Sequence, residues 1–307
     1  MLTLIYFVLI LGVIVLVHEF GHFIFSKLFG VYVHEFSIGM GPAIFQRQGK
    51  NKETTYSLRA IPIGGYCALA GEDDEMDKDV PKDRCLQNKP IWQRFIIMVA
   101  GAMNNFILAV IILLLIATFA GAPNLDPIIG SVETGGPAEQ AGLEAGDRVT
   151  RINNDKVSTT DDLAIFLQLA DMSKPVTFYV TKEDGTETTY EVTPIAEEVD
   201  GTTTYRIGVT IDNEVRHDVL SVLSYTARKT GSLFKQMIIS FQALFTGRVG
   251  FDQLSGPVGI YQIVGAQSET GLANMFYLVA LLSVNVGFLN LLPIPAMDGG
   301  RIFLLLI

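Results

Sequence analysis

Leu16-Val17-His18-Glu19-Phe20-Gly21-His22-Phe23-Ile24 lies inside the apolar run Leu4–Phe29. About 20 apolar residues suffice to cross a bilayer, and here two histidines and a glutamate interrupt such a run. In a helix, positions i and i+4 share a face, so His18 and His22 project together with Glu19 beside them. Imidazoles at that spacing can ligate one Zn2+. The glutamate can take a proton from water at the metal and later pass it to a leaving nitrogen. Five residues with three fixed positions can arise by chance, but their place sharpens the reading: ionisable groups inside a membrane helix are costly and mark functional cavities. The plainer alternative is a helix leaving the bilayer, with His18–His22 as its wet end. No Lys or Arg precedes Leu2–Val17 and no small-residue cleavage site follows, so the run reads as a retained helix and not a removable signal.

The rest of the chain agrees with a membrane protein carrying a soluble insert. Of 307 residues, 49% are hydrophobic and only 18% charged, against about a quarter charged in soluble domains. Further apolar runs occur at Phe95–Ala120 and about Met275–Leu292, giving three complete spans. Ile302–Ile307 is too short to cross and reads as the start of a fourth span continuing beyond the last residue. The net charge of −10 lacks the basic footprint that phosphate binding needs, so no nucleic-acid partner is expected. Cys67 and Cys85 form no CxxC and read as free thiols.

The loop Lys27–Arg94 holds ten of the 22 Lys and Arg residues, whereas Gly121–Gly271 is richer in acids. The positive-inside rule places the first loop in the cytoplasm and the insert outside, although Glu72–Asp83 adds acids to that loop. Within it, Glu35–Ile44 and Thr54–Ala68 read as short strands broken by Gly39-Met40-Gly41-Pro42 and Pro62-Ile63-Gly64-Gly65. Such a hairpin near the membrane could offer an edge at Gly64, Gly65 and Tyr66 to an extended substrate.

In the insert, strands are expected at Pro127–Glu133, Val149–Asn153, Val176–Thr181 and Thr188–Thr193. A helix is expected at Asp161–Leu169, capped near Thr160. The run Pro137-Ala138-Glu139-Gln140-Ala141-Gly142-Leu143-Glu144-Ala145-Gly146-Asp147-Arg148-Val149 resembles PDZ domains of bacterial membrane-linked proteases, which bind extended peptide by strand addition. A generic α+β domain without a ligand is the alternative. Val219–Thr246 has amphipathic spacing, and Leu254-Ser255-Gly256-Pro257-Val258-Gly259 reads as a break before the third span. The expected organisation is therefore 1–120 (motif helix, β loop, second span), 124–196 (PDZ-like α+β insert), 197–270 (strand plus amphipathic helical segment) and 271–307 (third span and truncated fourth helix).

Zinc catalysis needs a third protein ligand and an open position. His34 falls on a strand after the first helix, and His217 lies in the insert. Asp298 follows Pro293 and Pro295, which stop the third helix, and precedes Gly299-Gly300. Taken alone it could equally N-cap a helix starting near Gly299. The histidine pair's need for a partner favours the ligand.

His18-Glu19-Phe20-Gly21-His22, Asn290-x-x-Pro293-x-Pro295 leading to Asp298-Gly299, and the single PDZ-like insert together resemble the site-2 protease family. The likeness is to its RseP-type (RasP-like) bacterial branch and covers essentially the whole chain. It implies an intramembrane zinc metalloprotease in a bacterial plasma membrane, with the insert outside and the metal near the cytoplasmic side. His18, His22 and Asp298 would bind Zn2+, Glu19 would be the base, and Asn290 would orient substrate or stabilise an oxyanion. Gly101-Ala102-Met103-Asn104-Asn105-Phe106 is similar to a glycine-proline-x-x-asparagine element of the family's second span, with Ala102 in the proline's place. Met297 stands where leucine is usual. The implied partners are transmembrane proteins already cut by another protease, peptide C-termini or extended segments at the PDZ domain, and membrane lipid. Two other classes are compatible with parts of the pattern: an anchored zincin acting on exposed peptides, and a catalytically silent scaffold presenting its PDZ domain.

Overall fold

The computed structural model describes residues 2–50, 52–72, 79–199, 202–250 and 256–307. Two compact units emerge: 1–113 with 255–307, and 114–254.

The chain opens with helix α1 (Leu2–Leu28), built mostly of Leu, Ile, Val and Phe and free of proline. At 1.5 Å per residue it is about 40 Å long, enough to cross the roughly 30 Å hydrocarbon core. Strands β1 (Val33–Gln48), longer than expected, and β2 (Thr55–Leu69), shifted by one residue from the expected Thr54–Ala68, follow, and each bends at its middle. Ser37 pairs with both Ser57 and Tyr66, so the folded-over hairpin lays four segments side by side. Gly39 (φ 85°) and Gly64 (φ 77°) take left-handed conformations at the two bends. Glu72, where the acidic stretch begins, pairs with Arg301; residues 73–78 of that stretch lie outside the described residues. Helix α2 (Ile91–Phe119) is the second long apolar helix.

In the 114–254 unit, strands β3 (Ala122–Pro123) and β4 (Ile129–Val132) lead to the short helix α3 (Pro137–Ala141). Strands β5 (Arg148–Ile152) and β6 (Asp155–Lys156), helix α4 (Thr160–Leu169), and strands β7 (Val176–Thr181) and β8 (Glu187–Val192) come next. The sheet order is β6-β5-β7-β8, antiparallel throughout. Strands β9 (Ile195–Val199) and β10 (Thr202–Arg206) form a hairpin, β11 (Val209–Ile211) returns to pair with β4, and β12 (Val215–Arg216) pairs with β3. Phe178, Val149, Ile152, Leu163 and Val192 fill the core, and Ile207 joins them. The core thus draws on residues past the 124–196 boundary expected for the insert, because β11 closes against β4. Helix α5 (Val219–Phe245) occupies the amphipathic stretch.

Beyond the expected break lies a helix instead, α6 (Pro257–Thr270). Pro257 sits in its first turn, where a missing N–H costs nothing, so the proline starts the element. Leu254 and Ser255 lie outside the described residues. Val264 of α6 packs with Ile10 and Ile14 of α1 and with Leu278 and Leu282 of α7 (Leu272–Leu291). Helix α8 (Asp298–Leu306) ends the chain. Among the described residues, α1, α2 and α7 are the helices long and apolar enough to cross a membrane. Leu9, Val13, Ile107, Ile111 and Leu115 stand exposed along them, a surface suited to lipid.

Candidate metal centre

One turn of α1 brings the His18 and His22 rings to 4.9 Å between centroids, nearly perpendicular. Asp298 reaches them from the first turn of α8. Its Oδ2 lies 3.0 Å from His18 Nε2 and 3.3 Å from His22 Nε2, and the two Nε2 atoms are 3.2 Å apart. At metal–ligand bonds of about 2.0–2.1 Å, the edge of a tetrahedron is about 3.3–3.4 Å. Three donors at this spacing fit three corners around one zinc and leave the fourth open. They form the one such cluster of His, Cys, Asp or Glu among the described residues. His34 instead packs on Tyr32, and His217 lies beside Gly121 in the other unit.

The Asp298 side chain does not cap α8. Met297 is the N-cap residue and no side-chain cap bond forms, so the capping alternative fails. The turn before it is tightly wound: Ile294 N–H bonds Leu292 O at 2.7 Å, and Ala296 is left-handed at φ 76°. A non-glycine residue there costs on the order of 1 kcal/mol or more. A Cβ on Gly299 would strike the Leu291 and Leu292 carbonyls, so only glycine lets this turn close on α7.

Glycines also set the approach of α1 to α2. A Cβ on Gly21 would collide with the Ala100 carbonyl, and one on Gly101 would lie 2.7 Å from His18 Cε1. Gly in a helix costs about 1 kcal/mol relative to Ala; here it lets a backbone pass directly beneath two imidazoles. The contact gives the rings outer partners. His22 Nδ1 donates to Ile97 O at 2.8 Å, and His18 Nδ1 lies 3.4 Å from the Asn105 amide nitrogen. The neighbouring Asn104 donates to Val17 O at 3.2 Å.

Glu19 leaves the histidine face for the hairpin, where its Oε2 accepts the Cys67 N–H at 3.0 Å. That amide is therefore turned towards Glu19. Tyr66, next in the strand, donates to Glu35 at 2.5 Å and accepts from Arg59. Burial and the Glu35 bond push the Tyr66 phenol up to about 12, so it stays a donor at neutral pH. Burial raises Glu35, but hydrogen bonds from Ser57, Tyr66 and Arg59 outweigh it and hold the carboxyl below its ordinary range. Gly65 of β2 pairs with Ile38 of β1, and Gly64 occupies the bend. Asn290, half-buried near the end of α7, makes no side-chain hydrogen bond among the described residues.

Sequence reasoning named the three metal-competent side chains and the glutamate. It missed the Ile97 carbonyl and the Cys67 amide, which are backbone groups without a residue signature, and it gave Asn105 no role. Gly21 and Gly101 were the available signal, since glycines on two apolar helices point to close backbone approach.

The family model for peptidase family M50 matches residues 6–307. The chain belongs to peptidase family M50. It is 31% identical to the zinc metalloprotease RasP of Bacillus licheniformis over 99% of this chain and 90% of that one. It is also 31% identical to the regulator of sigma-W protease RasP of Bacillus subtilis, over 99% and 89%. The chain is a metalloendopeptidase of the site-2 type, and its histidine–aspartate set suits Zn2+, the metal in the first relative's name.

Proposed function

We propose that this M50 protein cleaves transmembrane segments of other membrane proteins inside the bilayer. The observation that carries the proposal is the meeting of Asp298 with His18, 280 positions away, and with His22, on a first helix apolar enough to be immersed. His18, His22 and Asp298 hold the metal. A bound zinc supplies Lewis acidity, polarising a peptide carbonyl and acidifying water. Glu19 takes the proton of the attacking water and delivers it to the leaving nitrogen, its carboxylate aimed by the Cys67 N–H. Asn290 serves the substrate or the oxyanion from the end of α7.

Peptide bonds in a helix are shielded by their i→i−4 hydrogen bonds, so the substrate must unwind before attack. Its extended form lies along the Gly64-Gly65-Tyr66 edge, a role supported by the bond from the next residue's amide, Cys67 N–H, to Glu19. A proline at Tyr66 removes that edge's pairing and lowers cleavage; unchanged cleavage would exclude the edge. The insert acts as a PDZ domain. Supporting this, β11 has β4 as its one strand neighbour among the described residues. A cavity of about 750 Å3 lies there, lined by Leu167, Met172, Ile207 and Val209. An extended peptide or C-terminus adds to that edge with an apolar side chain in the cavity. The protein sits in the plasma membrane of a bacterium, insert outside and metal towards the cytoplasm, and takes substrates already shortened by another protease.

Reconstitution with a model transmembrane substrate tests this reading. Glu19→Gln should keep zinc and lose cleavage by about 10²–10⁴-fold, the range of a general base. Equal cleavage by both proteins would overturn it. No cleavage by either would instead favour a silent scaffold presenting its PDZ domain.

A further inference from the structure

The two histidines differ in what stands behind them. His22 Nδ1 faces the Ile97 carbonyl at 2.8 Å, a group that can only accept. That ring is therefore fixed with its proton on Nδ1 and its lone pair on Nε2, the state a metal ligand needs. Among the described residues, no backbone carbonyl takes this place at His18. What faces it is Asn105, a fully buried side chain (0% exposed) whose amide nitrogen lies 3.4 Å from Nδ1 and whose Oδ1 has no partner among the described residues.

An amide carries both a donor and an acceptor, and its two ends exchange by a half-turn about the last bond. With its nitrogen forward, Asn105 donates to Nδ1 and leaves the His18 proton on Nε2, directed at Asp298 Oδ2 3.0 Å away. With its oxygen forward, it accepts from Nδ1–H and leaves Nε2 free as a lone-pair donor. Helix packing keeps the amide in reach: Ser283 of α7 donates to the Asn105 carbonyl at 2.9 Å, and Gly287 lets Phe106 and Ala102 of α2 close against α7.

We propose that Asn105 is the positioning residue of the metal centre, its amide oxygen holding His18 in the Nδ1-protonated tautomer that presents Nε2 to zinc. It acts through His18 and touches neither metal nor substrate. The proposal rests on the metal assignment above, and its test separates the two.

The test measures zinc affinity of the full chain in detergent by competition with a chromophoric chelator, alongside the melting of the metal-free protein. Asn105→Leu, which keeps the volume and removes the acceptor, should weaken zinc about 10–100-fold, as loss of an outer-shell partner does. Asn105→Asp, which keeps an acceptor oxygen, should restore most of that loss. Nitrogen-15 spectra of histidine-labelled wild type with zinc should show His18 protonated at Nδ1. Wild-type affinity in Asn105→Leu would overturn the proposal, as would equal losses in Leu and Asp variants that both melt normally. Should the Leu variant fail to fold, the tautomer in the wild-type spectrum decides: Nδ1–H supports the role, Nε2–H overturns it. Absence of zinc binding by the wild type would instead sink the metal assignment itself.

Discussion

The metal-site contacts of one unit and the cap and turn contacts of the other span very different lengths of chain. In the membrane unit, His18 meets Asp298 across 280 positions and Asn105 across 87. In the insert, Asp162 meets Thr159 across three and Asp147 accepts from the Glu144 N–H, also across three, while the longer contacts of Asp161 to Lys229 and Asp162 to Lys235, across 68 and 73, tie α4 to α5. The short pairs finish a helix end or a turn, supplying partners for backbone groups that would otherwise be left open. The long pairs of the metal site finish no secondary structure at all; they bring donors to one point. Substitutions in the first unit should therefore disable a function at modest cost in fold, and substitutions in the second should do the reverse.

The largest expected effect tests the first half of that contrast. Asp298→Ala removes a donor that α8 does not use as a cap, so the helix should still form. Zinc affinity should fall by more than the 10–100-fold typical of an outer partner, and cleavage should fall with it. Zinc titration and cleavage assays on one preparation check both. Retained zinc would mean that the carboxylate is a bystander.

Phe178→Ala tests the second half. Phe178 is wholly buried at the centre of the insert's core, and truncating such a ring costs about 3–5 kcal/mol. Hydrogen exchange should accelerate across β5, β7 and β8, while zinc per chain stays as in wild type. A proportional loss of zinc would show that the two units do not fold as separately as the contrast holds.

The same difference in reach decides what could be read before the fold was known. Strand β7, with its alternating Val176, Phe178 and Val180, was legible because a period of two is a local property. The long apolar helices were legible for the same reason. Asp298 could be singled out only because a histidine pair needs a third donor; nothing near Asp298 distinguishes a ligand from a cap. The stretch Leu254–Gly259 was read as a break because Pro257 and the glycines beside it signal a turn, whereas Pro257 starts helix α6. The Ile97 carbonyl and the Cys67 amide belong to no residue type, so no pattern of side chains could announce them.

The smallest effect belongs to the cap of α4, and it sets the scale of a purely local contact. Thr159 Oγ1 accepts the Asp162 N–H at 3.2 Å, and Asp162 Oδ2 accepts the Thr159 N–H at 3.2 Å and the Ser158 N–H at 2.8 Å. Thr159→Ala removes only the first of these, so it should cost about 1 kcal/mol, read as faster amide exchange in the first turn of α4. Thr159→Ser keeps the oxygen and should restore most of the protection. Asp162→Ala should cost more, because that carboxylate also holds Lys235 of α5 at 2.7 Å. Equal losses at the two positions would mean that the box contributes mainly through its hydroxyl, and that the link from α4 to α5 adds nothing to the local cap.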